Sequence, residues 1–143
     1  MKNLVVGSDE KTHLTDFVIK YLREGNYELI LLGDLVDEKK KWKWVDIGKE
    51  AAKKVVNKAV TQAILFCWSG TGISMAANRL KGARAALCWD AETARLARKW
   101  DNANILCLSL RYTSETVAKE ILDAWFSTKF DEESLNQAHK LDE

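Results

Sequence analysis

Apolar residues fall along this chain in short runs, separated by stretches of helical period. Leu4-Val5-Val6 reads as a first strand. Leu14, Phe17, Val18, Tyr21 and Leu22 follow at i, i+3, i+4, i+7 and i+8, a helix with one buried face. Tyr27 to Leu32 is a second run, closed by Gly33-Asp34, and residues 34–43 form a charged loop. Val45, Ala51, Ala52, Val55, Val56 and Ala59 mark a second helix. Ala63 to Cys67 is a third strand, and Ile73, Ala76, Ala77 and Leu80 a short helix. Ala85 to Cys88 is a fourth strand, with a helix over 91–100 after it. Ile105 to Leu110 is a fifth strand. Ser114 then caps a helix whose Val117, Ile121, Leu122 and Trp125 share a face. A polar, weakly helical tail covers 131–143.

Strands two to five are nearly continuous apolar runs, as in strands covered on both faces. Five strands alternating with helices predict a three-layer α/β/α Rossmann-like domain on a five-stranded parallel sheet, with right-handed crossovers. With 143 residues and neither linker nor repeat, the chain reads as one domain over 1–143. Ligands of such folds bind beyond the carboxyl ends of the strands.

Composition removes some function classes. There are 22 Lys and Arg against 21 acids, so no global footprint for nucleic acid exists. Lys39-Lys40-Lys41-Trp42-Lys43-Trp44 is locally basic and aromatic, and its simpler reading is a solvated loop. No apolar run approaches the roughly 20 residues that span a membrane. The start, Met1 to Gly7, is too short an apolar stretch for a secretory signal. Three cysteines without a CxxC pair point to a reducing cytosol. Two histidines leave little material for a histidine-based metal site.

The candidate chemistry sits where strands and helices end. The first strand runs into Gly7-Ser8-Asp9-Glu10, the third into Cys67-Trp68-Ser69-Gly70-Thr71-Gly72-Ile73-Ser74, and the fourth into Cys88-Trp89-Asp90. The helix after the fourth ends in Trp100-Asp101-Asn102-Ala103-Asn104. In the third, a thiol closes a buried strand and a small-residue loop enters a helix. Its amides can hold an oxyanion or phosphate, and Cys67 is placed as a base or nucleophile. A base beside an anion hole is what proton abstraction alpha to a carbonyl needs. A core cysteine followed by a plain turn would leave the same pattern. The loop lacks the third glycine of a dinucleotide fingerprint. Cys88 and Cys107 read as core, His13 and His139 as surface or packing residues. Trp44, Trp68, Trp89 and Trp100 near these ends suit sugar rings and subunit contacts equally.

Ile64-Leu65-Phe66-Cys67-Trp68-Ser69-Gly70-Thr71-Gly72-Ile73-Ser74-Met75-Ala76-Ala77-Asn78-Arg79, with Gly82 to Cys88, Ala94 to Arg98, Asn102 to Leu106 and Val117 to Phe130, resembles the ribose-5-phosphate isomerase B / galactose-6-phosphate isomerase family to about residue 130. The resemblance implies aldose–ketose isomerisation of a phosphorylated sugar through an enediolate. It implies no metal or cofactor, and a dimer or tetramer whose sites are shared between subunits. Cys67 stands at the position of the proton-moving base, Ser69 at that of a threonine assisting at the ring. The amides of Ser69 to Gly72 would face the enediolate oxygens, with Asp9 and Arg111 binding substrate. The family's ring-opening histidine falls at Trp100, the asparagine after it at Asp101, and a first-loop histidine at Glu10. The first loop glycine is Trp68, and the basic tail positions are Ser134, Leu135 and Ala138.

The expected site is therefore Cys67, Ser69 and Asp101 as catalytic groups, with Asp9, Glu10, Trp68, Gly70, Thr71, Gly72, Trp100 and Arg111 around the sugar. Three readings follow: a subunit of a heteromeric isomerase whose partner supplies the missing histidine and arginines; a homo-oligomeric isomerase in which Glu10, Asp101 or His13 handles hydroxyl protons; or a non-catalytic sugar-binding relative. The expected partners are a sugar or sugar phosphate and other copies or relatives of the chain, with no nucleic acid and no membrane.

Overall fold

The computed structural model describes residues 2–39 and 41–143, without the side chains of residues 135 and 136. Met1, Lys40 and the Leu135 side chain, used in the readings above, lie outside the described residues. Strands β1 (Asn3–Ser8), β2 (Glu28–Gly33), β3 (Gln62–Cys67), β4 (Ala85–Leu87) and β5 (Ile105–Ser109) alternate with helices α1 (His13–Glu24), α2 (Trp44–Val56), α3 (Thr71–Ala77), α4 (Ala91–Lys99) and α5 (Glu115–Ser127). A 3-10 turn (Glu132–Ser134) and α6 (Leu135–Lys140) close the chain. The strands form one parallel sheet in the order β2-β1-β3-β5-β4.

Alternate side chains of each strand enter opposite layers. Leu4, Val6, Ile64, Phe66, Leu106 and Leu108 pack beneath α1, α4 and α5, around Leu22, Ile121 and Trp125. Val5, Leu65, Cys67, Ile105 and Cys107 pack beneath α2 and α3, around Ile47, Val55 and Ile73. Crossovers toward the β2 edge use the first layer and those toward β4 use the second, so every crossover has the same hand.

Three expectations need correction. β2 and β4 are not covered on both faces: Ile30 is 39% exposed and all three β4 residues are only half-buried. Both are edge strands, which apolar content alone cannot distinguish from central ones. Cys88 lies just past β4 rather than within it, although its amide still donates to Cys107 O at 3.1 Å. The second helix stops at Val56, short of the predicted Ala59, and Lys58 beyond it has φ of +60°.

The free edge of β4 is occupied by a side chain. Asn78, the C-cap of α3, donates from its amide nitrogen to Ala85 O at 2.9 Å and accepts from Ala85 N at 2.8 Å. At the chain's end, Asp142 accepts from Gly82 N at 3.1 Å and pairs with Arg84 at 3.0 Å.

Candidate active site

β1 and β3 are neighbours, yet the chain leaves β1 toward one side of the sheet and β3 toward the other. Between their carboxyl ends lies the crevice that such a reversal opens. Cys67 ends β3 and Asp9 follows β1. Both line a cavity of about 250 Å³ with Trp44, Trp68, Ser69, Thr71 and Gly72.

The loop after β3 is clamped to the end of β5. Cys67 O accepts from Leu110 N at 3.0 Å. Trp68 O accepts from Arg111 N at 3.0 Å and Ser109 Oγ at 2.8 Å. Gly70 sits against β5 with φ of +80°, and a Cβ there would stand 2.5 Å from Leu87 Cδ1 and 3.2 Å from Leu108 O. Only glycine fits, and Gly70 shapes the loop from behind instead of lining the cavity. The Ser69 and Thr71 hydroxyls are bonded at 2.7 Å. Trp44 lies across Gly72, whose Cβ would meet indole carbons at 3.0–3.2 Å. Sequence reading placed Trp44 near the loops but not in the site, because its contact with Gly72 depends on how α2 docks against α3.

Asp9 carries the site's electrostatic anomaly. Its Oδ1 is buried and has no hydrogen-bond partner among the described residues. Burial first, then the charges of Glu10 and Asp34, push its carboxyl above the usual carboxylate range, against a backbone hydrogen bond and Lys43. Ser8 Oγ fixes the turn, donating to Glu10 O at 2.5 Å and accepting from Glu10 N at 3.2 Å. Glu10 itself is exposed and does not line the cavity; His13, at the start of α1, is exposed as well. Beside the mouth, the Arg111 guanidinium lies 6.0 Å from the ring of Trp68, which is 54% exposed, and 5.1 Å from that of Tyr112. Trp89 meets Tyr112 edge-on at 5.7 Å.

Trp100 and Asp101 are not brought to this cavity within one chain. α4 runs back across the sheet, so its end reaches the amino-terminal edge. There Asn104 O accepts from Ala63 N, near the start of β3. Asp101 lines a different cavity, of about 410 Å³, with Asn78, Arg84 and Leu141. The sequence reading grouped this segment with the strand ends, whereas a helix end returns to the opposite side. Among the described residues no three His, Cys, Asp or Glu side chains gather as a metal site, and no helix is long and apolar enough to cross a membrane.

Residues 4–143 match the family model described as Ribose/Galactose Isomerase. The chain is 38% identical over 90 residues to the galactose-6-phosphate isomerase subunit LacB of Clostridium acetobutylicum, a match spanning 63% of this chain and about half (52%) of that subunit. It is 35% identical over 136 residues to a probable ribose-5-phosphate isomerase B of Mycoplasma genitalium, covering 90% of this chain and 86% of that protein. Among solved structures, a ribose 5-phosphate isomerase of Thermotoga maritima superposes with a TM-score of 0.90 at 32% identity, over 99% of this chain and 97% of that one. Ribose-5-phosphate isomerase B of Mycoplasma genitalium, solved with bound ribulose-5-phosphate, gives 0.88 at 30% identity, over 97% and 93%. From its first strand to its last helix, the chain belongs to the ribose/galactose isomerase family.

Proposed function

We propose that this protein is an aldose–ketose isomerase of a sugar phosphate, with Cys67 as the proton-moving group and residues 1–143 acting as one domain. One observation carries the reading: Cys67 and Asp9, whose buried Oδ1 has no partner among the described residues, line the same cavity at the β1/β3 crevice. Cys67 as thiolate takes the proton from C2 of the open-chain aldose. The C–H electron pair becomes the C1–C2 double bond of an enediolate, and negative charge develops on O1. The proton returns to C1 on the C1–C2 electron pair, and the O2 hydroxyl proton passes to O1, so that O2 becomes the ketone oxygen and O1 a hydroxyl. Amides of the Ser69–Gly72 loop face the developing charge, where fixed donors are worth most. Asp9 accepts a sugar hydroxyl, the Ser69–Thr71 hydroxyl pair contacts the ring, and Arg111 with the Trp68 face borders the rest of the substrate.

Asp101 and Trp100 enter the same site from a second copy of the chain, since in their own chain they sit at the opposite sheet edge. The working unit is thus at least a dimer. The tryptophan at position 100 supports a second reading, a heteromer whose other subunit supplies the family's ring-opening histidine. Loss of the C–H signal alpha to the carbonyl in heavy water, followed by NMR with ribose 5-phosphate and hexose 6-phosphates, tests both. Exchange and product formation by the chain alone, abolished in Cys67→Ala, is the expected result. Silence from the chain alone, with activity restored by a histidine-bearing relative, would replace the homodimer with the heteromer. Exchange that survives in Cys67→Ala removes Cys67 as the base.

A further inference from the structure

The amino-terminal edge of the sheet, remote from Cys67, carries a second cleft. Two cavities of about 370 and 420 Å³ adjoin there and share Thr61, Gln62 and Arg98. Each has the size of a small-molecule site. Their cations are Lys2, Lys58, Arg84, Arg98 and Lys129, and no acidic side chain lines either one. In a chain with 22 cations and 21 acids, this segregation makes a positive field that the net charge conceals. Arg84 is answered by Asp142 at 3.0 Å. Among the described residues, no carboxylate lies within 4.0 Å of the cationic nitrogens of Lys2, Lys58, Arg98 or Lys129.

Arg98 joins the two cavities. Its guanidinium lies over the Trp125 ring at 5.4 Å, and one terminal nitrogen donates to Ala103 O. Its Nε is buried and donates to nothing. The second terminal nitrogen makes no hydrogen bond among the described residues and leaves charged donors for an anionic acceptor. Burial, with Arg84 nearby, also works against this guanidinium's charge. The two cavities differ in character. The larger gathers Lys58, Asn102 and Asn104 beside the arginines, over Val55 and Val60. The smaller has an aromatic wall: Tyr27 and Phe126 pack with centroids 4.8 Å apart, and Phe130 stands alongside. Gln62 lies between, its oxygen accepting from Trp125 Nε1 at 2.9 Å, which leaves its amide nitrogen as a further donor.

We infer that this cleft binds a nucleoside phosphate, with the phosphate held by Arg98 and Lys58 in the larger cavity and the base against Tyr27, Phe126 and Phe130. A cationic cavity opening onto an aromatic one matches a ligand that is anionic at one end and flat at the other. Within one chain the cleft lies at the opposite end of the sheet from Cys67, and the inference does not require the isomerase activity.

Titration calorimetry of the full chain with AMP, ADP and inorganic phosphate tests it. Lys58 and Lys129 are exposed, so Lys58→Ala with Lys129→Ala leaves the fold intact. Lys49→Ala, on the exposed side of α2, serves as a charge control. We expect saturable AMP or ADP binding that the double variant weakens about tenfold or more and the control leaves unchanged. Inorganic phosphate should bind more weakly than either nucleotide. Binding unaltered in the double variant, displacement of the nucleotide by sugar phosphate, phosphate binding as tight as AMP, or no saturable nucleotide binding would each overturn the inference.

Discussion

An oxygen with nothing to bond to is the most informative atom in the crevice. Asp9 Oδ1 is buried beside Cys67 without a partner, and its carboxyl is pushed above the usual carboxylate range, chiefly by burial. The folded chain therefore holds a proton on Asp9 more tightly than the unfolded chain does. That contribution to stability is fully present below the unfolded pKa of about 3.8 and is lost as pH rises through the higher folded value. Asp9→Asn should thus melt at a higher temperature than the natural chain at pH 7, with the gap closing as pH falls below that value. The same substitution should lower kcat/KM by about tenfold to a hundredfold, because a charged acceptor for a sugar hydroxyl is gone. A variant that melts lower at pH 7 would refute the electrostatic account. Asp9 and Cys67 were legible in the sequence, because both sit one step from an obvious strand end. Trp44 was not, since its contact with Gly72 is tertiary. Trp100 and Asp101 were legible as unusual residues, but their place at the opposite sheet end from Cys67 was not.

Helix ends written in local chemistry came through well. Ser114 caps α5 by accepting from Val117 N at 3.1 Å, as its position predicted, and Asp90 caps α4 from Thr93 N at 2.7 Å. α3 begins at Thr71, because Gly70 turns the chain at positive φ, and it ends at Ala77, short of the predicted Leu80. What sets α3 in place is α2. A Cβ on Gly48 would stand 2.8 Å from Ala76 Cβ and 3.0 Å from Ile73 O. Gly48→Ala should cost about 1–3 kcal/mol by overpacking, read as a lower denaturant midpoint at constant slope. Activity should fall further than stability explains, since α3 carries Thr71 and Gly72 into the cavity. Adding Ala76→Gly removes one of the two clashes and should recover part of both losses. No recovery would mean that the helix spacing is not what Gly48 protects.

At the scale of the molecule, the sequence yielded the alternation of strands and helices and the parallel sheet, but not the strand order. Whether a run such as Tyr27–Leu32 lies at the centre or the edge is decided by which helix covers it, and β2 proved to be an edge. The order also fixes which loops share an end. It leaves Cys67 at one end of the sheet and Asp101 at the other, and the proposed dimer can be tested on that separation. Cys67→Ala and Asp101→Ala should each be inactive as homodimers. Unfolded together and refolded, they should regain about a quarter of natural activity, because half the dimers are mixed and each mixed dimer has one intact site of two. A mixture as dead as its parents would place both groups in the same chain's site, and an active Asp101→Ala homodimer would remove Asp101 from catalysis. The Asn78 side chain has a consequence on this scale too. By giving Ala85 both a donor and an acceptor, one amide plays the part of a sixth strand that is a single residue long. A backbone from another molecule arriving at β4 finds its first pair of bonds already made, so the sheet offers no template for open-ended growth there. The chain can be crowded to high concentration with that margin closed, and association is left to side chains, which choose their partners, instead of to peptide groups, which do not.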